Sequence, residues 1–591
     1  MFNSIEDTLS IIAIILIFGG SIFIHELGHF LVAKARGLKA TRFSIGFGPK
    51  IFAWRGKDGC QYRISLLPLG GYVALPQLAD MEELEGSDLS KEEISKLKKA
   101  SFTDKVLVSA AGAFFNVLLA IVMAFLVYLI GIPTAQEGKT NIIGFIPENS
   151  QSTQVDSELS LKEGDAILAI DSTKIESFND VRMMVALGSN RDETGKAIAV
   201  FTILRDGKEL EVKTYPSLEK TNIKTGDEVR MLDIYPASQM IIGKIMENSP
   251  AEKAGFKAGD EVLKIDGKRI YANARFSSEL NKVEGKCTIT LLREGEEIDL
   301  VLEPKKIART KALCEIFTPS DSKNALISII CTNPKTTDIT ENEVGILKLI
   351  AKGDEGLVKE LKLGSSLYEV GNKEISSLAQ LNTIINAKAE DESLILKFIN
   401  STALTDINLE KGAYSKIIPP QETAMAGYYL ASNTKIEHPS VITQIKESFN
   451  VTYQAMKTLF NFNSDIGINH MSGPVGISRV IYKISKVDIA LLLSFTVLLN
   501  INLAILNMLP LPILDGGHIV MAIIEKLTGK AIQKSLVVKI TQSIFALGFI
   551  ALMIYIIYMD TQRWRGDINQ EDISTIQNQY YLKDLDFKNN E

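Results

Sequence analysis

The stretch Ser21-Ile-Phe-Ile-His25-Glu26-Leu-Gly-His29-Phe30 constrains this chain more than any other, because it sets two imidazoles and a carboxylate inside a run that reads as a membrane-spanning helix. Residues four apart stand one above the other on a helix, so His25 and His29 can hold one metal ion with Glu26 beside it, the arrangement of zinc hydrolases. A charged group at mid-membrane costs roughly 2.5–3.5 kcal/mol on insertion scales, so it is expected to be paired, metal-bound or turned to a wet cavity. The plainer alternative, a chance motif in a soluble core, fits poorly with the apolar run Leu9 to Ile24, since buried helices of water-soluble proteins are seldom apolar all round. A catalytic zinc takes three protein ligands and leaves one position for water. After His29 come Phe-Leu-Val-Ala-Lys-Ala-Arg-Gly with no further histidine, so the third ligand has to come from elsewhere.

A chain of 591 residues is too long for one core and implies several domains. Its 46% hydrophobic content and mean hydropathy of +0.12 suit a chain divided between lipid and water. A net charge of −7 leaves no general basic surface, which argues against nucleic acid as a partner. Cys60, Cys287, Cys314 and Cys331 have no CxxC spacing and give no metal or redox signature, although Cys314 and Cys331 are close enough in sequence to pair in an oxidising compartment. The opening Met-Phe-Asn-Ser-Ile-Glu-Asp lacks the positive charge with which a cleavable signal peptide begins, so the first apolar segment is expected to stay attached.

Hydropathy and loop charge give a topology. Residues 1–33 form a first span carrying HExxH, and 34–105 a loop rich in Lys and Arg, hence cytoplasmic, with Phe43–Pro49 and Tyr62–Val73 reading as short membrane-associated β-hairpins. Asp80–Lys99 reads as a solvated surface helix. The second span, 106–132, is interrupted by Ser109, Gly112 and Asn116; Asn116 suits either a hydrogen bond across helices or plain packing. Residues 413–487 hold an amphipathic helix, Val441 to Phe460, lying against the membrane or a neighbouring domain, and a linker. A third span, 488–511, leads into 512–539, whose Lys526, Lys530, Lys534 and Lys539 make a second cytoplasmic loop; a fourth span, 540–559, then returns the tail, 560–591, to the outside.

The long polar region between spans two and three repeats itself. Leu161-Lys-Glu-Gly164-Asp165-Ala-Ile-Leu-Ala-Ile170-Asp171 recurs as Phe256-Lys-Ala-Gly259-Asp260-Glu-Val-Leu-Lys-Ile265-Asp266, and in weakened form as Leu361-Lys-Leu-Gly364-Ser365-Ser-Leu-Tyr-Glu-Val370-Gly371. Each copy follows a short strand with a glycine, at Gly144, Gly243 and Gly345. The copies resemble bacterial PDZ domains, over 133–218, 225–306 and a degenerate 307–412. Such domains accept peptide C-termini or extended segments as an added strand. The fold class expected is therefore a multi-domain membrane protein: an α-helical transmembrane core of four spans with extracytoplasmic tandem PDZ-like α+β domains.

Span three ends in Asn500-Ile-Asn502-Leu-Ala-Ile-Leu-Asn507-Met-Leu-Pro510-Leu-Pro512-Ile-Leu-Asp515-Gly516-Gly517-His518. Two prolines must unwind the helix, and Asp515 follows on the side where topology puts His25 and His29. Asp515 is thus the expected third ligand, with His518 a rival that serves equally as an outer or packing group.

These features together resemble the site-2 protease family of intramembrane metalloproteases, and within it the regulator-of-sigma-E protease branch: HExxH in a first span, Gly112-Ala-Phe-Phe-Asn116, tandem PDZ-like copies and Asn-x-x-Pro-x-Pro-x-x-Asp-Gly. The resemblance implies that His25, His29 and Asp515 bind Zn2+ and that Glu26 is the catalytic acid/base. It also implies that Asn502 and Asn507 hold or polarise substrate, and that Gly70-Gly71-Tyr72 belongs to a membrane-reentrant sheet beside the site. The implied activity is hydrolysis of a peptide bond in or near the transmembrane helix of a single-span protein, such as an anti-sigma factor or remnant signal peptide, in a bacterial inner membrane with both termini extracytoplasmic. The chain departs from the family's pattern at Ala113, where a proline is usual, and in the extra stretch from about 307 to 420. Two other classes remain to be weighed: a membrane-anchored PDZ adaptor with a structural or inactive metal site, and an ion transporter, which would place acids along several spans.

Overall fold

A computed structural model describes residues 5–78, 97–148, 150, 160–220, 227–318, 325–332, 346–352, 361, 363–388, 393–400, 403–461, 463–529 and 536–577. The helix expected at Asp80–Lys99 lies almost wholly outside these residues, as do Val344-Gly345 of the third repeat, Lys530 and Lys534, and the end of the tail. Among the described residues four helices are long and apolar enough to cross a membrane: Asp7–Ala35, Phe102–Ile130, Ile489–Asn507 and Ile540–Asp567.

The first is built from α1 (Ile5–Ile14), a π-helical turn at Ile15–Gly19 and α2 (Gly20–Ala35). The second, α3 (Phe102–Ile130), starts at a capping box in which Ser101 and Asp104 satisfy each other's backbone N–H groups; Arg36 Nε donates to Asp104 at 2.6 Å, joining the foot of α3 to the end of α2. Ala111, Gly112, Asn116, Ala120 and Ala124 form a buried seam of small residues along α3, against which α2 and α6 (Ile489–Asn507) pack closely. The loop after α2 folds into β1 (Arg42–Arg55) and β2 (Gln61–Ala74), each bent so that Phe43–Ile45 pairs with Tyr62–Ile64 on one side and Gly71–Val73 on the other.

Helices α4 (Val441–Leu459) and α5 (Pro474–Ser485) precede α6. Helix α4 buries Gln444, Ser448, Thr452 and Thr458 while exposing Ile442, Phe449 and Tyr453. Gln444 donates to the Ala124 carbonyl of α3 at 2.9 Å. Polar groups inside and apolar groups outside is the polarity that a hydrocarbon surrounding selects. Helix α6 stops at Asn507, the two prolines occupy a turn, and α7 (Asp515–Thr528) begins at Asp515.

Helix α8 (Leu536–Gln577) contains the expected fourth span, 540–559, and runs on past it as one helix of 42 residues and about 63 Å. It runs on because its next turns are held: Asp560 accepts from the backbone N–H groups of Gly473 and Gly476 at 2.9 and 2.8 Å, Arg563 pairs with Asp227, and Asp567 with Arg479. The helix also meets the strand Ile346–Lys352.

The repeats form three sheet-and-helix units, the first two consecutive and the third inserted within the second. The first unit does not close at 218: strand Ile143–Phe145 pairs with Tyr235–Pro236, and Ile234 lies in its core. Nor does the second end at 306, for Lys305–Ala308 pairs with Glu422–Met425, Ile242–Ile245 pairs with Tyr428–Leu430, and Ala424 and Ala426 complete its core. The third unit is thus an insertion within the second, and it extends past 412, because Tyr414–Ile418 pairs with Leu313–Phe317 in its eight-stranded sheet. Outside all of them Ile132–Ala135 pairs with Thr434–Glu437. The local Gly-Asp pattern marks each unit's middle; the closing strands come from far along the chain. Cys314 and Cys331 are buried in that third sheet, on neighbouring strands but out of register with each other.

Candidate metal centre

Helical spacing, a proline break and a seam of small residues converge on one place. His25 and His29 project from α2, and Asp515 enters from the first turn of α7. His25 Nε2 and His29 Nε2 lie 3.2 Å apart, and Asp515 Oδ2 lies 3.3 and 3.4 Å from them. Four ligands around zinc at ~2.0–2.1 Å stand about 3.3 Å from one another, so the three atoms occupy the corners that a tetrahedral zinc requires. Asp515 Oδ2 is also buried without a hydrogen bond, a condition a cation relieves. His29 Nδ1 lies 2.7 Å from the Val108 carbonyl, which holds the proton on Nδ1 and leaves Nε2 free to ligate. Among the described residues this is the one grouping of three or more His, Cys, Asp or Glu able to share an ion.

The space for the imidazoles comes from α3. A Cβ on Gly112 would stand 2.5 Å from His25 Cε1, so any other residue there would displace the rings. From the sequence, Gly112 reads as an interruption of the span and Asn116 as either a hydrogen bond across helices or plain packing, with no tie to the imidazoles. Their spacing of four, matching that of His25 and His29, was the signal that they face the metal ligands.

A cavity of about 450 Å³ opens on the centre, lined by His25, Glu26, His29, Gly70, Gly71, Tyr72, Asn116, Asn507, Asp515 and His518, with Phe549 of α8 at its edge. Glu26 is buried and lies under β2, where a Cβ on Gly71 would come 2.8 Å from its Cγ. Asn507 Nδ2 is 3.5 Å from His25 Nε2. Asn502 is not brought to the cavity. Its carboxamide oxygen accepts from the Thr452 hydroxyl of α4, because five residues on a helix turn the side chain away from Asn507. His518, one turn beyond Asp515, lines the cavity without joining the three converging atoms.

Comparison with known proteins follows this geometry. The profile of Peptidase family M50 matches residues 13–553. A protein named Regulator of sigma E protease from Salmonella typhi is 25% identical over 528 residues, covering 88% of this chain and 90% of that protein. The Regulator of sigma-E protease RseP of Escherichia coli K12 is 24% identical, covering 86% and 89%. A Pasteurella multocida relative, named provisionally as a zinc metalloprotease, is 25% identical, covering 94% and 99%. A solved PDZ domain protein from Parabacteroides distasonis overlaps 36% of this chain and 98% of its own at 6% identity and a TM-score of 0.10, too low to bear on the fold.

Proposed function

The chain belongs to peptidase family M50, and on that premise we propose that it is a membrane-embedded zinc metalloendopeptidase in which His25, His29 and Asp515 hold the zinc and Glu26 is the acid/base. The observation that carries this reading is the convergence of three ligand atoms from α2 and α7, 490 residues apart, beside a buried glutamate. When bound there, zinc supplies Lewis acidity toward a scissile carbonyl and toward water. Glu26 takes a proton from the attacking water and returns it to the leaving amine nitrogen. The substrate is a single-span membrane protein, an anti-sigma factor or remnant signal peptide, cut in or near its transmembrane helix.

A helical substrate hides its carbonyls, so it must unwind before attack. Gly71 and Tyr72 pair with β1 on one side and, with Gly70, line the cavity, which suits this strand to hold an opened substrate strand by backbone hydrogen bonds. Asn507, beside His25, is placed to donate to the substrate carbonyl. The repeated units stand outside a bacterial inner membrane, with both termini on that same side, and take extended peptide segments. The adaptor reading, with a structural or inactive metal site, gives Glu26 no task in the cavity. The transporter reading lacks acids spread along the spans.

The test uses protein purified in detergent micelles with a single-span reporter. Glu26→Gln keeps zinc, read by elemental analysis, and loses cleavage about 10²–10⁴-fold, the usual worth of a general base. Asp515→Ala loses the zinc. Cleavage unchanged by Glu26→Gln overturns the catalytic assignment, and full zinc content in Asp515→Ala overturns the ligand assignment.

A further inference from the structure

The two histidines of the centre are oriented by different means. His29 Nδ1 meets a backbone carbonyl, that of Val108, which no substitution removes. His25 Nδ1 instead meets a side chain, the Asn116 amide, at 3.2 Å, two helical turns further along the same face of α3. Asn116 is wholly buried, and its Oδ1 makes no hydrogen bond while its Nδ2 faces the imidazole.

An amide N–H donating to Nδ1 would leave the imidazole proton on Nε2, the atom turned toward Asp515 and His29. A histidine that ligates through Nε2 needs the opposite tautomer, with the proton on Nδ1 and an acceptor to receive it. Half a turn of the Asn116 amide about its Cβ–Cγ bond meets both demands. It brings Oδ1 to the Nδ1–H, gives that buried oxygen its missing donor and frees the Nε2 lone pair.

We infer that Asn116 is a positioning residue of the metal centre: its Oδ1 accepts from His25 Nδ1–H and so fixes both the tautomer and the plane of that ring. The inference rests on the reading of His25 as a zinc ligand and extends it to a residue outside the ligand set. Outer groups of this kind are typically worth about 10–100-fold in metal affinity. Of the two groups that meet an imidazole Nδ1 of the centre among the described residues, the Val108 carbonyl and Asn116, only Asn116 is a side chain that mutation can change.

The experiment measures zinc affinity of the full chain in micelles, by competition with a chelator after metal removal, together with the visible spectrum of the cobalt-substituted protein. Asn116→Ala is expected to weaken zinc binding about 10–100-fold and to shift the cobalt bands. Asn116→Asp retains an acceptor at the same atom and is expected to stay within about threefold of the unsubstituted chain, with its bands in place. Loss of affinity in both variants, or in neither, overturns the inference. Asp515→Ala run alongside separates the two readings. If it binds zinc normally, the ligand assignment falls; if it alone loses zinc, the ligands stand and the role of Asn116 falls.

Discussion

Gly112 illustrates how little room the chemistry leaves for the surrounding residues. It gives up its side chain so that two imidazoles can pack against α3, and the atoms a Cβ would strike belong to the rings of His25 and His29 themselves. Gly112→Val is therefore expected to lower zinc affinity by about tenfold or more, as outer-group lesions do, while the protein remains extractable and elutes as before in gel filtration. Zinc content that matches the unsubstituted chain would show that the rings find another seat. His25, Glu26 and His29 were legible because helical spacing is local, and Asp515 because paired prolines force a break at one depth. The contact of Asn502 was not legible for a physical reason: resemblance carries over a motif position, whereas the Thr452 hydroxyl that engages this side chain lies fifty residues upstream.

At the level of elements, the repeated Gly-Asp pair has a structural explanation. Asp260 accepts from the Lys257 backbone N–H at 2.7 Å and from Arg293 at 2.7 and 2.8 Å, tying a turn to the strand Cys287–Arg293; Asp165 and Arg205 repeat the device in the first unit. The weakened third copy carries Ser365 instead. Burial works to raise the Asp260 pKa, but the Arg293 guanidinium and the Lys257 N–H outweigh it and hold the carboxyl below its ordinary value. A depressed acid contributes stability that is complete above its unfolded pKa of about 3.9 and fades as pH falls through the lower folded value. Asp260→Asn should therefore cost about 3 kcal/mol near pH 6 and progressively less in acid below about pH 4. Cys287, buried in the same unit, reports this directly. With the other cysteines replaced, a disulfide reagent should reach it roughly a hundredfold faster in the variant at pH 6, with the gap closing toward pH 3. A gap that does not change with pH would assign the loss to packing. The four apolar helices were readable from hydropathy, but the continuation of α8 was not, because Asp560 and Arg563 look like a span's polar end until Gly473, Gly476 and Asp227 are seen to meet them.

Across the whole molecule the third unit is nested within the second, which it leaves and rejoins at adjacent strands. Ala308 stands opposite Glu422, which means that residues 309–421 can be exchanged for a two-residue Asn-Gly turn without separating the strands on either side. The shortened chain is expected to protect Cys287 as before and to keep its zinc. Rapid labelling of Cys287 would mean that the insertion, besides lying within the second unit, holds it together. The nesting was illegible in sequence because a repeat motif records which residues build a turn, not which distant strand completes the sheet. The distance between the two halves of the metal centre has a further consequence during synthesis. A ribosome adding roughly 5–20 residues per second needs about 25–100 s to travel from His29 to Asp515. Throughout that interval the newborn chain carries its glutamate and two imidazoles without the carboxylate that completes the set.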